Sequence, residues 1–321
     1  VEYCAQAEWF VGTRGGSSDH AAILFGRPGK INHLEFYPFR NQVEFEWPEE
    51  LYVMICHSGK SAEKNTMARA LFNQRVACYK IAVQWFKRRF PELSEHIHLV
   101  RDLYPAVLHK PLTAFYQLLL ELPERVRGDQ IQQVFPEVWN EYFAEDAKAS
   151  NYLFPLRDVL IYGLSEIERS RRFALYLQRR NYTEIGHLMS ISHNGDRVSS
   201  WKNGTSSPFR LHFDNQYLNQ LTTMARQGLE AAALYLQPGA YGCSIPEIDL
   251  MVDLASEVEG VIGAQIAGAG LGGSVMILLQ KSAIQACAQK LNQHYYAPRG
   301  LQPKMFLCHS VDRADVLRMP G

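Results

Sequence analysis

The feature of this sequence that most constrains its fold is a glycine-rich turn between two apolar runs near the C-terminal end. Four glycines stand within the six residues from Gly268 to Gly273, with the strand-like runs Val261–Ala267 and Ser274–Leu279 on either side. Apolar residues at helical spacing flank this pair, and another strand-like run follows; these segments are 247–259, 282–295 and 304–309. The predicted order matches the second half of a split β-α-β arrangement: helix, strand, glycine turn, strand, helix, strand. The predicted fold class is therefore α+β.

The glycines themselves allow two interpretations. A dinucleotide-binding turn is rejected, because that fingerprint opens a helix directly after a strand, whereas these glycines lead into the strand-like run Val275–Leu279. They could form a tight hairpin between packed strands. They could also let the backbone approach a bound ligand closely, because glycine tolerates positive φ.

Upstream of this region the predicted structure is mostly helical. Pro91 ends a helix that begins near Ser61, and a second long helix runs from Leu156 to about Gln178. The turn Gly26-Arg27-Pro28-Gly29 between two apolar runs predicts a hairpin. The full set is a helix end at 2–11, hairpin strands at 21–25 and 32–37, a buried strand at 51–56, mostly helical chain at 92–143 and a loop at 194–213.

Composition excludes several classes of function. The 321 residues include 33 basic and 33 acidic side chains, so the chain lacks the one-signed field that binds nucleic acid. No apolar run approaches the ~20 residues needed to span a bilayer. Six cysteines without a Cys-x-x-Cys pair predict free thiols and a cytoplasmic location. The histidines form no metal-binding motif.

Two carboxylates near the N-terminal end are candidates for chemistry. Asp19 stands in a glycine- and serine-rich loop, where small neighbours would admit a substrate hydroxyl to hydrogen-bonding distance of a general base. Glu8 precedes it, and a second carboxylate suits Mg²⁺, which usually takes one or two carboxylates together with substrate phosphates. Aspartate in such a loop is also common simply as a turn residue. Both interpretations stay open.

Five arginines lie on or just beyond the helix predicted at 156–178. Such a group could bind anions, but charge runs of this kind usually lie on a solvated helix face. The residues are Arg169, Arg171, Arg172, Arg179 and Arg180.

Six segments form a set whose order and spacing carry more information than any one of them. They are Cys4-Ala5-Gln6-Ala7-Glu8 with Phe10-Val11-Gly12-Thr13, Gly16-Ser17-Ser18-Asp19-His20, Phe72-Asn73-Gln74-Arg75, Gly186-His187-Leu188-Met189 with Ser192-His193, Ser244-Ile245-Pro246-Glu247-Ile248-Asp249, and Gly268-Ala269-Gly270-Leu271-Gly272-Gly273-Ser274. Together they resemble the GHMP small-molecule kinases, and within them the galactokinase-like sugar kinases. The resemblance covers nearly the whole chain, apart from an apparent insertion around 199–240.

The resemblance implies a role for each candidate residue. Asp19 would be the catalytic carboxylate that orients or deprotonates the anomeric hydroxyl of a sugar for attack on the γ-phosphate of ATP, and Glu8 would bind Mg²⁺. Gly16 and Ser17 would contact the sugar, and Phe72 stands at the place of a tyrosine that helps to bind galactose. The loop near the sugar and the phosphoryl group would be formed by Gly268, Gly270, Gly272 and Gly273.

Three departures from the galactokinase pattern bear on the sugar. Ser17-Ser18-Asp19-His20 stands where galactokinases usually have Ile-Met-Asp-Gln, and Phe72 lacks the tyrosine hydroxyl. The segment 57–65 carries more basic residues than the family pattern, Lys60 among them, although Lys60 could equally be a solvated loop residue. Loss of a hydroxyl donor and gain of lysines would suit a different sugar, such as a uronic acid with its own carboxylate. The expected substrate is therefore galactose or a related sugar such as galacturonic acid.

The resemblance also implies a two-domain GHMP kinase fold. We expect residues 1–50 to be the tail of an N-terminal phosphate-loop domain. Residues 51–321 would be the C-terminal domain, with a ferredoxin-like split β-α-β sheet and a helical insertion. The family's Gly-Leu-Ser-Ser-Ser phosphate loop does not occur in these residues, and the chain opens on Val1 without an initiator Met. We therefore expect an incomplete chain whose remaining motifs precede Val1.

The predicted function is ATP-dependent phosphorylation of the anomeric hydroxyl of a monosaccharide, with ATP and Mg²⁺ as cofactors. The expected partner is a small-molecule sugar rather than nucleic acid or a membrane, and the expected oligomeric state is a monomer or weak dimer. The alternative is a non-catalytic sugar and nucleotide sensor on the same scaffold.

Overall fold

Helices and strands alternate along the chain in an α+β fold, as predicted. The computed structural model describes residues 1–9, 17–36, 38–61, 66–202 and 205–314, without the side chains of residues 5, 8, 9, 66–68 and 202. The helices are α1 (Glu2–Trp9), α2 (Ser18–Phe25), α3 (Thr66–Arg89), α4 (Leu112–Glu121), α5 (Gly128–Val134), α6 (Pro136–Phe143), α7 (Leu156–Gln178), α8 (Tyr182–Asp196), α9 (Asn215–Arg226), α10 (Pro246–Ser256) and α11 (Ile284–Leu291). The strands are β1 (Lys30–Glu35), β2 (Arg40–Glu46), β3 (Leu51–His57), β4 (Val126–Arg127), β5 (Leu153–Phe154), β6 (Ser199–Lys202), β7 (Thr205–Pro208), β8 (Val261–Ala267), β9 (Ser274–Gln280) and β10 (Met305–Cys308).

A four-stranded antiparallel sheet with the order β10-β3-β9-β8 positions the glycine turn. Along the chain the elements of this sheet layer follow in the order β3, α10, β8, β9, α11 and β10, with helices α3 to α9 inserted between β3 and α10. This is the split β-α-β pattern of ferredoxin-like sheets. The C-terminal half of that pattern is confirmed element by element.

The central strands of the sheet pack against apolar residues on both faces, which explains their near-continuous apolar runs. Successive residues of a strand point to opposite faces. Ile277 packs with α10 and α11, whereas its neighbour Leu278 packs with Ile185 of α8.

A second apolar core lies in the helical part of the chain, among α3, α4, α6 and α7. Ile81, Phe115, Trp139 and Leu160 are buried there. Within the described ranges, no helix is both long and apolar enough to cross a membrane.

The hairpin prediction was wrong in its first strand. Residues 21–25 belong to helix α2, and the hairpin is formed instead by β1 and β2. A five-residue apolar run fits a strand or a buried helix equally well. The turn at Gly26–Gly29 therefore joins a helix to a strand.

The loop prediction for 194–213 was also wrong in part. Helix α8 continues to Asp196, and β6 and β7 then pair as a short antiparallel hairpin. Serine-rich segments favour turns by local propensity, but cross-strand pairing in the folded chain overrides that preference. The expected insertion around 199–240 contains this hairpin and α9, which packs on α4.

Candidate active site

The glycine loop between β8 and β9 reverses the chain in a backbone conformation that requires glycine. The φ angles are +79° at Gly268, +81° at Gly270, +130° at Gly272 and +83° at Gly273. Leu271 also adopts a positive φ, +60°. Side chains other than glycine rarely tolerate this region. The predicted glycine turn is confirmed.

One side of the glycine loop is attached to the end of β3. The Gly273 amide donates to the Lys60 carbonyl (2.9 Å), and the Gly273 carbonyl accepts from both the amide and the hydroxyl of Ser58 (2.8 Å each). Ser58 is buried, and its own carbonyl accepts from the Tyr295 hydroxyl at 2.6 Å. These bonds fix the loop at its exit into β9.

The other side rests on residues 241–245, which we call the strap. The Leu271 amide donates to the Cys243 carbonyl of the strap at 2.6 Å. A Cβ on Gly270 would lie 2.1 Å from that same carbonyl oxygen. Only glycine therefore fits at position 270, both for its φ angle and for the close backbone contact.

Several amides of the glycine loop remain available for a ligand. Those of Gly268, Gly270 and Gly272 donate to no acceptor in the described part of the chain, although Gly270 and Gly272 are buried. Buried backbone donors normally have a partner, and successive amides in such a loop form a concavity that binds anions. The loop can thus donate hydrogen bonds to a phosphate or a sugar oxygen.

The loop prediction was wrong for Asp19, which lies in the first turn of α2 and is exposed. None of the described donors hydrogen-bonds to its carboxylate. Ser17, the residue before the helix, is only 3 % exposed, and its hydroxyl has no hydrogen-bond partner among the residues described. Gly16 and the Glu8 side chain, also predicted for the site, lie outside the described residues.

Phe72 is half-buried on α3, one helical turn before Val76. Val76 lines a cavity of about 900 Å³ between the β1–β2 hairpin and helices α3, α6 and α7. The cavity has the size of a small-ligand pocket, but neither Asp19 nor the glycine loop lines it. The cavity is therefore separate from the predicted site residues Asp19 and Gly268–Gly273.

The strap brings two of the predicted segments together. Arg75, from the segment that begins at Phe72, donates to the Tyr241 carbonyl at 2.5 Å, while Cys243 two residues later contacts the glycine loop. No such hydrogen bond, among the residues described, joins Asp19 to the glycine loop. Helix α2 is instead tied to the segment 310–314, because the Ala314 amide donates to the Ile23 carbonyl.

The basic residues singled out in the sequence differ in exposure, since Arg171, Arg179 and Arg180 are exposed and Arg169 is buried. Lys60 lies 3.7 Å from Glu247 in an exposed ion pair. The solvated-face interpretation was wrong for Arg169, which is only 3 % exposed and donates to the carbonyls of Tyr235 and Gln237. Long arginine side chains can bridge carbonyls inside a fold, which a sequence pattern does not reveal.

Sequence reasoning missed a buried polar network beside the strap. The Asp249 carboxylate is fully buried, and its Oδ1 lies 3.2 Å from Nε2 of the equally buried His193. Burial lowers the pKa of His193. Burial alone raises the pKa of Asp249, but the neighbouring His193 imidazole and the Ser244 hydroxyl outweigh it and lower that pKa. The signal was present, because both residues stand in matching segments to which no role was assigned.

A second buried carboxylate, Asp196, lies on the other side of the strap. It accepts from the Tyr162 hydroxyl at 2.7 Å and from the Cys243 amide at 3.3 Å. Burial raises the pKa of Asp196 to about 6, although both hydrogen bonds oppose the shift.

Comparison with known proteins shows that the chain is similar to sugar kinases. Residues 215–297 match the family described as GHMP kinases C terminal. A galactokinase of Roseiflexus sp. (strain RS-1) is 31% identical over 305 residues, which cover 94% of this chain and 56% of the relative. The galactokinase of Dictyostelium discoideum is 21% identical over 295 residues, or 91% of this chain and 55% of the relative. The chain spans about half the length of the curated relatives it matches.

The fold is similar to that of a solved sugar kinase. The crystal structure of Lactococcus lactis galactokinase complexed with galactose superimposes with a TM-score of 0.58 and 16% sequence identity. The match covers 97% of this chain and 58% of that structure. At this identity the likeness establishes the fold.

Proposed function

We propose that the protein transfers the γ-phosphate of ATP to the anomeric hydroxyl of a monosaccharide, because the chain is a galactokinase-like member of the GHMP kinases. The observation that carries the proposal is the glycine loop. It is fixed by hydrogen bonds on two sides, yet the amides of Gly268, Gly270 and Gly272 donate to no acceptor among the described residues. Phosphoryl transfer asks a protein mainly for positioning and for stabilisation of charge, which a rigid loop with free donors supplies.

Asp19 is the general base of the proposed reaction. Its carboxylate is exposed and has no hydrogen-bond partner in the described ranges, so it is available to a sugar hydroxyl. The Ser17 hydroxyl beside it has no partner within the described ranges, which supports a sugar contact on the same turn, and Gly16 precedes it in the sequence.

We further propose that the reaction uses Mg²⁺. Hard cations of this kind bind one or two carboxylates and leave their other positions to phosphates and water. We assign Glu8 to the ion because it is the family's ligand position, and no group of three possible ligands occurs among the described residues. When bound, Mg²⁺ would neutralise phosphate charge. The chain's own contribution is to orient the sugar at Asp19 and to hold phosphate oxygens at the glycine loop.

The proposed substrate is galactose or a related sugar such as galacturonic acid. Phe72 removes one hydroxyl donor from the sugar side of the site, which weakens recognition of a neutral sugar. Lys60 is already within 3.7 Å of Glu247, so an incoming carboxylate would have to compete with that exposed pair. We further propose a cytoplasmic protein that is a monomer or weak dimer.

The test is transfer of labelled phosphate from ATP to a panel of hexoses and uronic acids by the full-length protein. The proposal predicts a sugar phosphate with at least one member of the panel. Calorimetric binding of sugar and ATP without any product would instead establish a sensor. Absence of both binding and product would overturn both functions.

A further inference from the structure

Backbone hydrogen bonds hold the strap against the end of α8. The amides of Tyr241 and Gly242 donate to the Gly195 carbonyl at 2.7 and 3.1 Å. The Ser244 amide donates to the Asp196 carbonyl at 2.9 Å. The strap is therefore a fixed backbone segment between α8 and the start of α10.

Asp249 anchors the strap from the α10 side. One carboxylate oxygen accepts from the Ser244 hydroxyl at 2.6 Å, and the other accepts from the amides of Val198 and Ser199 at 3.0 and 2.8 Å. A fully buried carboxylate is very costly unless its oxygens are satisfied. Of its described partners, Ser244 is the one that belongs to the strap.

The strap in turn determines where the glycine loop can lie. The Cys243 carbonyl accepts from the Leu271 amide at 2.6 Å and leaves no space for a side chain at Gly270. Ser244 is the next residue of the chain. A shift of the strap at Ser244 would therefore move the carbonyl on which the glycine loop rests.

We infer that Asp249 is a positioning residue for the glycine loop. Its carboxylate holds the Ser244 hydroxyl, the strap holds the Cys243 carbonyl, and that carbonyl holds the peptide between Gly270 and Leu271. The consequence for catalysis rests on the proposed function, because a displaced loop would misplace donors aimed at the transferring phosphoryl group. Small displacements of positioning groups reduce turnover strongly.

The first test is Ser244→Ala, which removes the link between Asp249 and the strap. A buried hydrogen bond to a charged group is lost, so we expect the Leu271 amide to exchange its hydrogen about 10-fold faster, as measured by hydrogen exchange. The full-length enzyme should lose about 10-fold in kcat with little change in KM for ATP.

The matched control is Thr222→Ala. Thr222 is buried on α9 and donates its hydroxyl to the Leu218 carbonyl at 2.8 Å, away from the strap. This control also removes a buried hydroxyl, but we expect it to leave both Leu271 exchange and kcat at wild-type values. A purely structural role for the Ser244 hydroxyl would make the two variants alike, which would overturn the inference.

Asp249→Asn supplies the second variant and a double-mutant cycle. If Asp249 acts through Ser244, the double variant exchanges the Leu271 amide no faster than the more affected single variant. If the two substitutions instead speed exchange of the Leu271 amide independently, so that their factors multiply in the double variant, the inference is contradicted. If Asp249→Asn does not fold, Ser244→Ala alone decides.

Exchange at Leu271 needs no substrate, which separates this inference from the proposed function. If Ser244→Ala speeds exchange at Leu271 but the wild-type protein phosphorylates no sugar, the positioning role is supported and the kinase proposal is overturned. An active wild-type enzyme whose Ser244→Ala variant keeps its kcat would overturn the positioning role.

Discussion

The glycine loop and the Asp19 turn belong to one proposed site, but the chain holds them in different ways. The loop is bonded on one side to Ser58 and Lys60 and on the other to Cys243. Asp19 is exposed on the first turn of an eight-residue helix and has no described partner for its carboxylate. The comparison teaches that backbone hydrogen bonds preorganise the proposed phosphate side of the site, whereas the proposed base is exposed and has no partner among the described residues.

The largest expected effect is that of Asp19→Asn on turnover. Loss of a general base costs about 10²–10⁴-fold in rate. Because the carboxylate is exposed and supports no described contact, the melting temperature should stay at the wild-type value. Steady-state kinetics and calorimetry on the same sample check both parts, and a large loss of stability would break the contrast with the loop.

A stability effect is expected next, from Gly270→Ala. The substitution combines positive φ with a Cβ placed 2.1 Å from the Cys243 carbonyl oxygen, so it should destabilise the fold by about 3 kcal/mol or more. Gly268→Ala is the control, since its φ of +79° is similar but no atom lies within 4 Å of the added Cβ. That control should cost about 1 kcal/mol, and equal losses in denaturant unfolding would show that the strap contact is unimportant.

The third prediction concerns pH and Asp196. Burial raises the pKa of Asp196 to about 6 in the folded state, above the ~3.9 of an unfolded chain. The folded state therefore binds this proton more tightly between about pH 4 and 6, and its free energy of unfolding falls as the pH rises through that window. The loss is on the order of 2 kcal/mol.

Asp196→Asn does not titrate, so the variant should lack this slope. Chemical denaturation of both proteins from pH 4 to 7 measures it. Parallel curves for wild type and variant would rule out a buried, proton-binding carboxylate beside the strap.

The smallest expected effect is that of Phe72→Tyr. The variant restores the hydroxyl that galactokinases use at this place, and one hydrogen bond contributes about 0.5–1.5 kcal/mol. The KM for galactose should therefore fall about 2- to 10-fold, with kcat nearly constant. An unchanged KM would indicate that Phe72 does not face the sugar.

How far the sequence predicts this fold depends on how local the determining interactions are. The C-terminal sheet was predictable because its apolar runs, helical spacing and glycine turn follow one another directly in the chain. Helix α2 was mistaken for a strand because five apolar residues between turns fit both structures. The β6–β7 hairpin depends on cross-strand pairing that local propensity does not reveal.

The candidate site likewise has parts that the sequence predicts and parts that it does not. Family motifs identified Asp19 and the glycines of the loop, and local backbone chemistry explained the glycines. The connection from Asp249 through Ser244 to Cys243 joins α10, the strap and the loop in three dimensions. Spacing along the sequence does not predict it, even though Ser244 and Asp249 both stood in a matching segment.

Phosphorus NMR of the full-length protein with ATP and the accepted sugar tests the central claim most directly. The account predicts a sugar 1-phosphate signal that grows as the γ-phosphate signal of ATP declines, and no such signal with Asp19→Asn under the same conditions. Equal sugar phosphate from both proteins, or ATP consumed only to inorganic phosphate, would contradict it.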